Sequence, residues 1–92
     1  MKISVLLPYK EDYSPDYAGA VSLFVNDINK ESFFKNSTYI YGNTLSKKKL
    51  SANYINLDLK KKILQSTSKI YVESFLKYEK NINTDLVEIH NR

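Results

Sequence analysis

The spacing of hydrophobic and polar positions changes several times along this chain. Residues 3–8 form a largely aliphatic run, with Ser4 as its one polar residue, that ends in proline, the pattern of a buried strand in a parallel sheet. From Gly19 to about Glu31, apolar residues recur every three or four positions, which predicts an amphipathic helix. Residues 9–18 between them show no periodicity and predict a loop. Because this loop is long for a strand-to-helix connection, it is a candidate for function.

The rest of the pattern predicts three further strands and one longer helix. Residues 38–41 and 54–57 are short and rich in strand-forming side chains, and the polar segment 43–53 between them predicts a loop. Spacings of three and four residues predict the longest helix over roughly residues 61–80. Residues 85–90 then predict a final strand, in which Val87 and Ile89 alternate inward.

The order β, α, β, β, α, β predicts the fold class. It indicates an α/β, Rossmann-like domain with a mainly parallel sheet and flanking helices. A parallel sheet is usually covered on both faces, and a chain of 92 residues that stops directly after a strand would leave one face bare. We therefore interpret residues 1–92 as one truncated N-terminal piece of a larger domain.

Composition excludes several classes of protein. With 42% hydrophobic and 26% charged residues, the chain has the balance of a globular protein. No apolar run approaches the roughly 20 residues that span a bilayer, and residues 1–8 are too short for a signal peptide, so we expect a cytoplasmic protein. The chain has no cysteine and one histidine, His90, so no metal site is expected.

The net charge of +4 is unevenly distributed. Residues 30–69 carry nine lysines against two acids, whereas the rest of the chain has a net charge of −3. Arg92 is the single arginine, and the tyrosines form no stacking motif, so nucleic-acid binding is not expected. Two interpretations remain for the lysine triplets. They are solvated lysines in a loop and at the start of a helix, or they contact anionic lipid at the inner face of a membrane. The triplets are Lys47, Lys48, Lys49 and Lys60, Lys61, Lys62.

Two clusters stand where an open α/β sheet binds ligands, at the carboxyl ends of its strands. The first, residues 9–21, leads into the predicted helix at Ala18-Gly19-Ala20, and small residues there let backbone N–H groups approach an anion. The alternative is that Gly19 only permits a tight turn or close helix packing. Neither the dinucleotide fingerprint nor a Walker A pattern occurs.

The second cluster is Glu88-Ile89-His90-Asn91-Arg92, of which His90, Asn91 and Arg92 emerge where the last predicted strand ends. A lone histidine at such a position is often structural, but its polar neighbours favour a functional role. We therefore take His90 as a candidate catalytic residue and Asn91 and Arg92, with Ala18, Gly19 and Ala20, as candidate substrate-binding residues.

Three stretches of the chain carry a resemblance to a known family. Residues 1–8, 14–22 and 84–92, in this order and at this separation, resemble the N-terminal domain of family 4 glycosyltransferases of the GT-B fold. Residues 32–80 contribute only a compatible pattern.

The resemblance implies a two-domain retaining enzyme that moves a sugar from a nucleotide-sugar donor to a glycan or lipid-linked acceptor, as in the synthesis of cell-envelope polysaccharide. It implies neither a metal nor a cofactor beyond the nucleotide sugar, which is a substrate. The N-terminal domain would receive the acceptor, with Gly19 facing the donor diphosphate and His90 to Arg92 near the acceptor. The missing C-terminal domain would hold the donor.

This chain departs from the family pattern at two points. The family's turn has two adjacent glycines followed by an acid, whereas here it is Ala18-Gly19-Ala20. The family's pair of glutamates seven residues apart belongs to the C-terminal domain and does not occur here. We therefore expect the chain alone to be inactive. The alternative is a stand-alone, non-catalytic α/β module that binds a phosphate-bearing ligand or a protein partner.

Overall fold

The computed structural model describes residues 1–57, 59 and 66–90 of the chain. Within this part, strands and helices occur in the order that the hydrophobic pattern predicts. The strands are β1 (Ile3–Leu6), β2 (Thr38–Gly42), β3 (Tyr54–Asn56) and β4 (Leu86–Ile89); the helices are α1 (Ala20–Glu31) and α2 (Thr67–Ile82), and a 3₁₀ turn (Lys35–Ser37) precedes β2.

The strands form one wholly parallel sheet in the order β3-β2-β1-β4. β1 lies in the middle, with Ile3 opposite Thr38 of β2 on one side and Leu86 of β4 on the other. The chain moves from β1 outward through β2 to β3, and then returns across the sheet to β4. The strand order therefore reverses between β1 and β4, and the predicted Rossmann-like α/β fold is confirmed.

The two helices pack on opposite faces of the sheet, as right-handed crossovers in opposite directions require. Side chains of β1 alternate between these faces. Val5 joins the core on the α1 side, and Leu6 joins the core on the α2 side. The first core also contains Leu7, Tyr13, Val25 and Ile40, and the second contains Tyr41, Leu57, Tyr71 and Phe75.

The predicted start of the second helix was wrong, and its predicted end was correct to within two residues. α2 begins at Thr67, because the extended Ser66 caps it by accepting the N–H of Lys69 on its hydroxyl. Residues 61–65 of the predicted helix lie outside the described residues. The helix continues to Ile82, where Asn83 takes a left-handed conformation with φ of 54°.

β4 forms as predicted but is not buried. Val87 and Ile89 lie on the α2 side of the sheet, where they line a groove, yet they remain 39% and 61% exposed. The prediction that they turn into a core is therefore wrong. The reason is that β4 pairs with β1 along one edge only, and no described element covers its other edge.

Candidate functional site

The candidate site lies at the carboxyl end of the sheet, where the strand order reverses. After β1 the chain continues for one residue beside β2, where the backbone N–H of Leu7 donates to the carbonyl of Tyr41 at 2.9 Å. After β4 the N–H of His90 donates to the carbonyl of Leu6 at 3.0 Å. Loop 7–19 and the end of β4 therefore leave the sheet side by side, at the position where open α/β sheets bind ligands.

The long loop after β1 is held in place by Tyr13, which is fully buried. Its ring stacks on that of Tyr54, with centroids 5.1 Å apart, and its hydroxyl lies 2.8 Å from Ser51 Oγ. Its backbone N–H donates to Thr44 Oγ1 at 3.0 Å, and its carbonyl accepts the N–H of Leu50 at 3.2 Å. These contacts join the loop after β1 to the loop after β2.

Burial keeps the two stacked phenols neutral. Desolvation raises the pKa of Tyr54 to about 12, and it also raises the pKa of Tyr13. Each hydroxyl also has a polar partner. That of Tyr13 has Ser51, and that of Tyr54 lies 2.7 Å from Thr44 Oγ1 and donates to Asn56 Oδ1 at 2.9 Å. The contacts of Tyr13 and Tyr54 that hold the loop are therefore hydrogen bonds between neutral groups.

The N-terminus of α1 holds a carboxylate from this same loop. Glu11 is 4% exposed, and its Oε1 accepts the N–H of Ser22, the third residue of the helix, at 3.0 Å. A carboxylate there is favoured by the positive end of the helix dipole. The chain thus supplies its own anion at the turn that the resemblance assigns to a donor diphosphate.

Gly19 is what admits this carboxylate. A Cβ on Gly19 would lie 2.5 Å from Glu11 Oε1, whereas the φ of −81° is one that any residue can adopt. Gly19 is therefore required for space and not for backbone conformation. It and Ala18 are half-buried and Ala20 is exposed. Glu11 was not predicted as a site residue, although an acid in the loop before a helix that lacks a side-chain cap could have indicated it.

His90 lies at the end of β4, as predicted, and is held between two side chains. Its Nε2 lies 3.1 Å from Glu88 Oε1. On α1, the ring of Phe24 meets the imidazole edge-on, with centroids 6.4 Å apart. Phe24 is also on the helix that Gly19 begins, so α1 links the two predicted clusters. Asn91 and Arg92 lie outside the described residues.

Grooves run along both faces of β4, and His90 lines both. The groove on the α1 side is small, about 70 Å³, and includes Phe24 and Ile28. The groove on the α2 side is about 690 Å³ and largely apolar. Its walls include Leu7, Tyr9, Val72, Leu76, Val87 and Ile89.

The first lysine triplet is only partly available to a membrane surface. Lys47 and Lys48 are exposed in the loop after β2. Lys49 instead folds back, with its ammonium 5.3 Å from the centroid of the Tyr54 ring and a hydrogen bond to the carbonyl of Ser46. Lys60, Lys61 and Lys62 lie outside the described residues.

The described residues contain no cluster of three or more histidine, cysteine or acidic side chains that could hold a metal ion. In that same part of the chain, no helix combines the length and the apolar character needed to cross a membrane. No protein-family model matches the chain, and neither a curated protein nor a solved structure matches it.

Proposed function

We propose that this chain is the acceptor-side N-terminal part of a retaining GT-B glycosyltransferase, which moves a sugar from a nucleotide-sugar donor to a glycan or lipid-linked acceptor. The observation that carries the proposal is the meeting of loop 7–19 and the end of β4 at the reversal of the strand order, with His90 in both adjoining grooves. Ligands of open α/β sheets bind at this position. The support beyond it is the resemblance of the sequence at these two segments.

In this proposal the catalytic contact is made by His90 at the end of β4, and Asn91 and Arg92 serve to bind the acceptor. Glu11 already occupies the N-terminus of α1, so a donor diphosphate would reach the backbone of Ala18 to Ala20 only after that carboxylate turned away. The donor is held by a C-terminal domain. Because that domain supplies most of the stabilisation of the leaving diphosphate, residues 1–92 alone are inactive.

The proposed location is the cytoplasm, peripheral at the inner face of the membrane, in a pathway for cell-envelope polysaccharide. The exposed Lys47 and Lys48 support it, because each lysine near an anionic surface adds about 1 kcal/mol of attraction. Co-sedimentation with vesicles of phosphatidylglycerol and phosphatidylcholine tests this location. Binding should rise with the anionic fraction and fall in Lys47→Ser/Lys48→Ser, and binding that ignores lipid charge would contradict it.

A titration of the ¹⁵N-labelled chain tests the acceptor role. Maltotriose, cellotriose and mannotriose are added separately, and UDP-glucose is added to a parallel sample. We expect an oligosaccharide to shift the amide signals of Leu7, Tyr9 and His90, and we expect no sugar transfer in a mixture of chain, donor and oligosaccharide. Transfer by the isolated chain would contradict its inactivity.

The matched variant for this titration is His90→Gln, which keeps a polar side chain at the end of β4. It should weaken the oligosaccharide shifts while leaving the spectrum of α2 unchanged. Oligosaccharide shifts that survive the substitution unaltered, or that map to α2 and β3, argue against an acceptor site at His90.

The second candidate function is a non-catalytic module that binds a protein partner. It is favoured by the apolar side chains that β4 leaves exposed, Leu86, Val87 and Ile89. A phosphate-bearing ligand is less favoured, since Glu11 fills the helix N-terminus. The reading frame beyond the codon for Arg92 separates the candidates, because further βα units support the enzyme and a stop codon supports the module.

A further inference from the structure

We infer that Glu88 is a positioning residue that fixes the ring and the tautomer of His90, an inference that rests on the proposed function for its catalytic meaning. Residues 88 and 90 are two positions apart on a strand, so their side chains share one face. The resulting contact is close, with Glu88 Oε1 3.1 Å from His90 Nε2.

The chemistry of this pair assigns the hydrogen. An ionised carboxylate can only accept a hydrogen bond, so the hydrogen between the two groups belongs to Nε2. In a neutral imidazole the other nitrogen, Nδ1, then carries the lone pair. Glu88 therefore leaves Nδ1 of His90 as the nitrogen that accepts a hydrogen bond from a substrate hydroxyl.

Two further contacts make this arrangement more than a surface ion pair. The Phe24 ring meets the imidazole edge-on, with an angle of 67° between the two ring planes. The backbone N–H of His90 donates to the backbone carbonyl of Leu6. The His90 side chain is only 20% exposed, whereas that of Glu88 is 53% exposed. The ring is thus largely enclosed, while its partner carboxylate stays hydrated. Such a half-exposed pair contributes little to the stability of the fold, but it can still set which nitrogen of the imidazole carries the hydrogen.

The chemical consequence concerns orientation of the acceptor. A hydroxyl that donates to Nδ1 has its oxygen placed at a fixed distance and direction from the end of β4. Fixing the reacting oxygen in this way reduces the entropy that must be lost in the transition state. At metal sites, outer groups that orient a histidine change metal affinity or activity about 10- to 100-fold when they are removed, and we expect an effect at the lower end of that range here.

The test reads the tautomer directly and needs no ligand. The ¹⁵N shifts of both imidazole nitrogens, with their couplings to the ring hydrogens, are recorded at a pH where His90 is neutral. We expect the chain to show the Nε2–H form alone, Glu88→Ala to show an exchanging mixture of both forms, and Glu88→Gln to restore the Nε2–H form in part through its amide carbonyl. Glu31→Ala, at the exposed end of α1, is the matched control and should change nothing.

A mixture of tautomers in the unsubstituted chain would overturn the inference, and so would an Nε2–H form that persists unchanged in Glu88→Ala. Amide spectra of β1 and β4 verify that each variant keeps the sheet. The oligosaccharide titration is judged separately. A fixed tautomer with no oligosaccharide shift supports the positioning by Glu88 and counts against the proposed function alone, whereas an oligosaccharide that binds about tenfold more weakly to Glu88→Ala supports both.

Discussion

The two helices of this chain begin in different ways. At α2, the hydroxyl of Ser66 accepts the N–H of Lys69 at 3.2 Å, and the cap is exposed and local in sequence. At α1, Gly19 offers no side chain, and the carboxylate of Glu11 accepts the N–H of Ser22 from a buried position. Both arrangements satisfy one of the free N–H groups of a first turn. The difference is that the second depends on the whole loop after β1.

The comparison predicts that the remote cap is the more valuable one. A buried, charged acceptor is worth more than an exposed neutral one, because no water can replace it when it is lost. If the loop serves only as a connection, removing either cap should lower the free energy of unfolding by the same amount.

Glu11→Ala has the largest expected effect. It leaves the N–H of Ser22 buried without an acceptor, so the free energy of unfolding should fall by about 2.5 kcal/mol in urea denaturation. Glu11→Gln keeps an oxygen acceptor without the charge and should lose about half of that. The control is Asp16→Ala, which removes one charge from an exposed position of the same loop. If Asp16→Ala and Glu11→Ala lowered the free energy of unfolding equally, the effect of Glu11→Ala would come from net charge and not from the lost cap.

Gly19→Ala should cost about 2 kcal/mol, since the new Cβ would displace the Glu11 carboxylate from Ser22. The decisive variant is the double substitution with Glu11→Ala, in which the clash no longer exists. A double mutant as stable as Glu11→Ala alone shows that both changes remove the same interaction. Additive losses would mean that Gly19 is needed for a separate reason.

Alkaline pH should loosen the start of α1 through the tyrosine stack that anchors its loop. The pKa of Tyr54 is raised to about 12, so its folded state favours the neutral phenol; the resulting stability is complete below pH 10 and is lost as the pH rises towards 12. At pH 11 the loss from this group is about 1.4 kcal/mol. Urea midpoints at pH 8 and pH 11 measure it.

Tyr54→Phe is the control for the alkaline loss, because it keeps the stacked ring and removes the ionisable hydroxyl. The variant should lose less stability than the unsubstituted chain between these two pH values. Amide exchange at Ser22 should accelerate before exchange at Lys69, and the reverse order would contradict the link between the stack and α1.

Ser66→Ala should have the smallest effect, a loss of about 1 kcal/mol, the usual value of an exposed hydroxyl cap. Ser66→Asp should be nearly neutral, since a carboxylate can accept the same N–H. Ser68→Ala, within the exposed first turn of α2, is the matched control and should be silent. A loss for Ser66→Ala that equals the loss for Glu11→Ala would remove the distinction between local and remote caps.

Much of the fold followed from local pattern. The largely aliphatic run of β1 predicted a buried parallel strand, and the periodicity from Gly19 predicted α1 to within a residue at both ends. The start of α2 was wrong because apolar spacing extends back to Ile63, and spacing alone does not reveal which hydroxyl caps a helix. The burial of β4 was wrong because strand formation depends on pairing, whereas burial depends on what covers the strand.

The candidate site divides in the same way. A strand end followed by polar residues was enough to predict where His90 lies, and alternation along β4 is enough to put Glu88 beside it. The contact of Phe24 with His90 joins residues far apart in the chain. Neither it nor the fold-back of Lys49 onto Tyr54 has a local signal.

The sequence by itself determined the elements, their order and the end of the sheet at which ligands are expected, because these depend on periodicities and on neighbours a few residues apart. Only the tertiary structure decided that Glu11 fills the N-terminus of α1, that Gly19 exists to make room for it, and that β4 stays exposed. These depend on which distant groups come within hydrogen-bonding or van der Waals distance. Such distances are fixed when the sheet and its loops have packed.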